Sequence, residues 1–171
     1  MQLKKIALLI LTFAVSAYSI SGYTEMDSES AQSEEQNRAL IREVIELLNQ
    51  RKLDKVFELY AADYIFHGAG GDTLHGRDAI RNVWEAWLVG FPDLHSTIED
   101  IITEGDKLVL RWRVEGTHTG AFFGLEPTNA KINVRDIEIF RIENGQLVEA
   151  WDQIDMFSMM QQLGAIPTQA E

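Results

Sequence analysis

Apolar positions recur at helical spacing through the first half of the chain and alternate through the second. From Asn37 to about Gln50, Leu40, Ile41, Val44, Ile45, Leu47 and Leu48 repeat every three or four residues, which predicts a first helix. Leu53, Val56, Phe57 and Tyr60 predict a second. The segment DYIFHGAGGDTLHG reads as a strand running into a glycine-rich loop. A third helix starts near Arg77; Ile80, Val83, Trp84, Trp87, Leu88 and Phe91 give it a wide apolar face, and Pro92 closes it.

Beyond Pro92 the period changes to two. His95–Thr103 is one strand, and Lys107–Thr117 is a second, with Leu108, Leu110, Trp112 and Val114 alternating against Val109, Arg111, Arg113 and Glu115. Lys131–Ile142 and Gln146–Asp155 flank Asn144-Gly145, a type I′ hairpin signal. A short helix over Phe157–Leu163 ends the domain. Helices followed by hairpin-linked strands predict an α+β fold, with three N-terminal helices packed on a curved antiparallel sheet that encloses a pocket.

Parity then exposes an anomaly. Ile132, Val134, Asp136, Glu138, Phe140 and Ile142 share one face, so the more apolar face of this strand carries two acids. On the last strand, Val148, Ala150, Asp152 and Ile154 share a face that is apolar but for Asp152. A buried, unpaired carboxylate costs several kcal/mol, roughly, and three together repel one another. Raised pKa values follow, and with them general acid/base chemistry. The competing expectation is that Arg111, Arg113 or Arg135 pairs with these acids, or that they face solvent. His67, after Tyr64-Ile65-Phe66, is a further candidate base or donor. His118 belongs at the pocket rim or bonded to backbone in the loop carrying Gly120, Gly124 and Pro127. His75 and His95 read as exposed. Phe66, Trp84 and Trp112 are candidate pocket walls, and Trp151 has the opposite parity from Asp152.

Composition narrows the rest. The chain is 46% hydrophobic and 25% charged, with no cysteine and a formal charge of −12. That charge disfavours nucleic acid and anionic membrane surfaces. No phosphate loop and no metal-ligand spacing occurs, so no metal is expected. MQLKK, the apolar run IALLILTFAV and the small, polar SAYSISG form a three-part export signal, with cleavage expected after Ser21; an uncleaved anchor or a buried helix is the alternative. Loss of Lys4 and Lys5 then takes the charge to −14, and the mature protein is expected to be periplasmic or secreted and free of the membrane. The expected organisation is signal 1–21, disordered acidic linker 22–36, domain 37–167 and tail 168–171.

Three stretches carry a resemblance: FHGAGGDTLHGRDAIRNVWEAWLVGFPDL, GTHTGAFFGLEPTNAKI, and DIEIFRIENGQLVEAWDQID followed by QQLG. Over about Asn37 to Pro167 the chain resembles the SnoaL-like polyketide cyclases, or ester cyclases, of the nuclear transport factor 2-like superfamily. The resemblance implies a cone-shaped α+β barrel, often a dimer or tetramer through the outer face of its sheet. It implies acid/base chemistry without metal or cofactor, with Asp152 as the general acid/base. It also sets a glutamine and a histidine where this chain has Asp136 and Glu138, so the helpers here donate a hydrogen bond only while protonated. The expected ligand is a small apolar carbonyl compound, transformed by cyclase, isomerase or lyase chemistry. The alternative is a periplasmic binding protein of the same fold without turnover.

Overall fold

The computed structural model describes residues 28–167. The proposed signal and the tail lie outside the described residues. Helix α1 is continuous over residues 28–49, so the part of the expected linker from residue 28 onward is helical. Its first turns are tied down: Glu34 accepts from the Thr103 hydroxyl at 3.2 Å and from the Gly105 amide at 3.3 Å. The buried Asn37 donates to the Gly105 carbonyl. Composition alone marks this stretch as solvated; Glu34 instead caps the turn between two strands.

Helix α2 is Leu53–Glu58, and strand β1, Tyr60–His67, follows almost at once. Tyr60, expected in the helix, therefore opens a strand; apolar spacing cannot separate the two when they abut. The glycine-rich segment forms a hairpin, with β2 at Thr73–His75 pairing back on β1. Helix α3 spans Arg77–Gly90, β3 His95–Glu104, β4 Lys107–Thr117, β5 Lys131–Glu143, β6 Gln146–Asp152 and α4 Met156–Gln162. At the β5–β6 turn Asn144 has φ 51° and Gly145 φ 73°, the two positive values that a type I′ turn requires.

The six strands form one curved, unclosed sheet in the order β2-β1-β6-β5-β4-β3. It is mixed rather than purely antiparallel, because β1 runs parallel to β6. Local periodicity carries no information about which strand pairs with which. Buried residues of α1 (Ile41, Val44, Ile45, Leu48) and Ile80 of α3 join a core with Leu108, Leu110, Val114, Val134 and Phe140 of the sheet. Each large side chain so buried contributes roughly 1.5–3 kcal/mol. Alternation in β5 is strict from Lys131 to Phe140, and its even-numbered residues from Ile132 to Ile142 are buried.

Strand β6 departs from strict alternation. Ile142 faces Leu147 and Arg141 faces Glu149, leaving Val148 as an extra residue in a β-bulge. Leu147 and Ala150 are fully buried, whereas Val148 is not, correcting its expected place on the inner face. Beyond the bulge Ala150 and Asp152 face inward as expected.

Candidate active site

Between the helices and the concave face of the sheet lies a cavity of about 420 Å³. α1 and α3 supply aliphatic wall plus Trp84 and Trp87; the sheet supplies Trp112, Phe140, Asp136, Glu138 and Asp152. Gly68, Ala69 and Gly70 of the β1–β2 turn, with Phe66, Phe122, Phe123 and Met156, complete the lining.

Register brings the acids together. Glu138 sits directly across from Asp152, and Asp136 is two residues along the same face of β5. One carboxylate oxygen from each lies within 4.8 Å of the others. Asp136 is 3% exposed and Glu138 7%. Among the described residues no lysine, arginine or histidine lines the cavity. Two of the arginines expected as partners point the other way: Arg111 and Arg113 both pair with Glu99.

Burial, with the charge of Asp152 adding to it, pushes Asp136 up to about 8. The Trp112 indole and the Gln153 backbone pull it back only in part. Trp112 is the direct cross-strand neighbour of Asp136, which places its indole against that carboxyl. Glu138 is driven well above the usual carboxylate range by burial, then by the charges of Asp136 and Asp152. Asp152 is also raised by burial, but the Asp136 carboxyl and the backbone N–H groups of Ile154 and Ala69 hold it down. All three carboxyls are thus held above the usual carboxylate range, and Asp152 is the one whose hydrogen bonds favour its ionised form most. Three carboxylate oxygens at this spacing also suit a hard divalent cation, a grouping that sequence spacing does not reveal.

Phe66, Trp84 and Trp112 line the cavity as expected; His67 and His118 do not. His67 lies on the outer face, with Nε2 2.9 Å from Glu149 and its ring stacked on Trp151 at 5.3 Å. Phe66 takes the inward parity, so its neighbour turns outward. His118 is fully buried against Phe91, and its Nδ1 accepts from the Thr128 amide at 3.3 Å, bracing the loop between β4 and β5. His75 and His95 are exposed. Tyr60 is a site residue that the sequence pattern conceals: it is buried, lines the cavity and feels the charge of Glu138. Its spacing from Leu53, Val56 and Phe57 is that of a helix, and this masks its place at the head of a strand.

The loop at the mouth is set by backbone contact. The amides of Thr119 and Gly120 both donate to the Gly90 carbonyl. A Cβ on Gly120 would lie 2.0 Å from the Val89 carbonyl oxygen, and one on Gly90 2.9 Å from Phe122 Cβ. Only glycine permits this approach. It holds Phe122 in the wall and leaves Phe123, at φ 44° and 68% exposed, on the rim.

Solved structures share this architecture. AclR of Streptomyces galilaeus, provisionally assigned as a hydroxylase, is 28% identical over 81% of this chain and 87% of its own, with a TM-score of 0.73. IdmH of Streptomyces antibioticus, provisionally assigned as a polyketide cyclase, is 29% identical over 74% and 97%, with a TM-score of 0.67. A provisionally assigned SnoaL-like polyketide cyclase from a Jannaschia species is 23% identical over 78% and 95%, with a TM-score of 0.73, and shares the fold. No curated protein matches the chain. The family model for SnoaL-like polyketide cyclases matches residues 38–163, the larger part of α1, the other helices, the sheet and all three cavity acids included, and the chain belongs to that family.

Proposed function

We propose that this protein carries out cofactor-free acid/base chemistry on a small, largely apolar carbonyl compound, of the cyclase, isomerase or lyase type. Asp152 removes a proton from the carbon next to the carbonyl. The electron pair moves onto the carbonyl oxygen, and protonated Glu138 or Asp136 donates a hydrogen bond to the enolate so formed. Return of the proton to carbon, or attack of the enolate on a second carbonyl with the Asp152 proton passed to the alkoxide so formed, completes the turnover. The observation that carries this reading is the meeting of three carboxyl groups in an apolar chamber, with no cationic side chain among the described residues of its lining. Protonated acids donate there without the charge repulsion that carboxylates would bring. His67 has no part in it.

The test is exchange of α-protons for deuterium in D2O across a panel of ketones and 1,3-dicarbonyls, followed by NMR. Exchange is expected to fall by ~10²–10⁴-fold in Asp152→Asn. Full exchange in that variant would discard the reading.

The basic and apolar start of the chain supports export, and N-terminal sequencing of protein from fractionated cells should find Gly22 first. Exposed Ile102, Ile137 and Ile139 support self-association, which sedimentation would measure.

A further inference from the structure

A second concavity adjoins the cavity and takes no part in the proposed chemistry. It is a groove of about 400 Å³ between the loop joining β4 to β5 and helix α4. Its lining is Phe122, Phe123, Gly124, Leu125, Met156 and Met160, with no charged side chain. Phe122, Phe123 and Met156 also line the cavity, so the two spaces meet along these three side chains. Met156 and Met160 stand one turn apart on α4, while Met159 is fully buried. Unbranched and flexible, methionines mould to an alkyl chain. The loop side is a built turn. The Phe122 amide donates to the Leu125 carbonyl at 3.0 Å, and the Leu125 amide to the Phe122 carbonyl at 2.8 Å. Its two central residues, Phe123 and Gly124, have φ 44° and 84°. The β5–β6 hairpin meets the same demand with Asn144-Gly145, the residues such a turn favours. Here the chain instead sets a phenylalanine, 68% exposed, where asparagine would sit with less strain and no apolar surface in water. Turn geometry alone does not ask for that ring.

We propose that the groove receives an unbranched alkyl tail whose carbonyl end sits in the cavity. The substrate is then a neutral long-chain ketone or 1,3-dicarbonyl compound. Volume supports an elongated ligand. The cavity, at about 420 Å³, already suffices for a compact small molecule, and the groove adds a space of almost equal size with only apolar side chains. The neutral head follows from the cavity lining, which has no basic side chain among the described residues to hold a carboxylate. A tail joined to a molecule already held in the cavity enters the groove without a second loss of translational freedom. A separate protein partner would have to seat on these few side chains, against the roughly 20–30 residues a side of a stable interface. The proposal rests on the preceding reading only in placing a carbonyl in the same cavity.

The experiment follows binding of 2-pentanone, 2-heptanone, 2-nonanone and 2-undecanone to the full mature chain by tryptophan fluorescence, since Trp84, Trp87 and Trp112 line the cavity. Affinity is expected to rise ~2–4-fold per added methylene through the longest member. Decanoate, which carries the nonyl tail of 2-undecanone on an anionic head, is expected to bind roughly tenfold or more weakly. Two variants probe the groove: Phe123→Asn, which suits the turn, and Met160→Gln, which lines the groove but not the cavity. Each is expected to flatten the rise above 2-heptanone, by roughly tenfold or more at 2-undecanone, and Phe123→Asn without lowering the unfolding temperature. A rise that stops at the short ketones in the wild-type protein overturns the proposal, as does a rise that survives both substitutions. Decanoate binding as tightly as the ketone overturns it, and so does failure of every ketone to bind up to its solubility limit. Long-chain affinity that weakens as protein concentration increases would assign the groove to a second copy and overturn it too. Binding is read without turnover. Absence of α-proton exchange would therefore discard the acid/base reading and leave the tail groove standing, and exchange without length dependence would do the reverse.

Discussion

Glu149 and Asp152 lie three residues apart on the same strand and belong to different chemical worlds. On the outer face Glu149 accepts from Arg141 Nε at 3.0 Å and meets His67 at 2.9 Å. Its hydrogen bond with His67, then that with Arg141, hold its carboxyl below the usual range. On the inner face Asp136, Glu138 and Asp152 meet no cation among the described residues, and all three are held above that range, chiefly by burial. Residue type, strand and backbone geometry are nearly the same. What differs is the company each face keeps, and that alone separates an acid that braces a sheet from one able to move a proton.

The comparison is broken most severely by giving the inner face a cation. Val83 lines the cavity from α3. In Val83→Arg the guanidinium should pull the acids down into the range of Glu149 and reduce turnover by ~10³-fold or more, within reach of a lost general acid/base group. Undiminished activity would show that unpaired acids are not what the site needs.

The next effect is on pH dependence. In the proposed mechanism Asp152 acts ionised and its neighbours protonated, so activity should rise through the pKa of Asp152 and fall near pH 8, where Asp136 gives up its proton. The two limbs belong to the cluster as a whole. Asp136→Asn keeps a donor at every pH and should move the falling limb upward by a unit or more. A limb that stays at the same pH would assign it to another group.

Stability should follow with smaller size and a defined sign. For Asp136 the folded value lies above the unfolded one, so its contribution is fully present below about pH 4 and is lost as pH rises to about 8. Glu138 acts in the same direction. Replacing both, as Asp136→Asn with Glu138→Gln, should raise unfolding free energy at pH 8 by roughly 1–3 kcal/mol while activity falls, an exchange common at working sites. Denaturant titrations at pH 5 and pH 8 would show it as a flatter pH profile. Glu149 has the opposite sign: its contribution is present above the unfolded value and lost as pH falls through the folded one. Glu149→Gln, the smallest effect, should leave activity within about twofold and shift thermal unfolding by a few degrees at most, as an outer-face pair allows.

Both faces are partly legible in the sequence. Strand β5 shows its two sides plainly, because a period of two persists through most of its thirteen residues and the burial follows it. The third acid is legible through the same rule, although that rule places Val148 on the wrong side. His67 obeys parity too: beside inward Phe66 it faces out. Its stacking on Trp151 across parallel strands, however, depends on a contact no local pattern encodes. Tyr60 is hidden for the reverse reason, since its spacing satisfies a helix that has already ended. The acidic stretch from residue 28 to 36 reads as solvated by composition, yet Glu34 within it binds a turn some seventy residues away. What the sequence states reliably is alternation; what it withholds is who stands opposite.

The bulge at Val148 can be described as a frame correction. If pairing ran on regularly from Ile142 and Leu147, Glu149 would fall opposite Phe140, inside, and Trp151 would follow it, leaving Asp152 on the outer surface. One residue looped out of the ladder shifts the phase of everything after it by half a period. The hairpin turn and the inward-facing acid therefore lie out of step along the chain, and a single position reconciles them. Drawing Val148 back into regular pairing would keep every functional group and turn the site inside out. Excising it would do the opposite, joining Leu147 to Glu149 in an unbroken ladder with Asp152 still facing in.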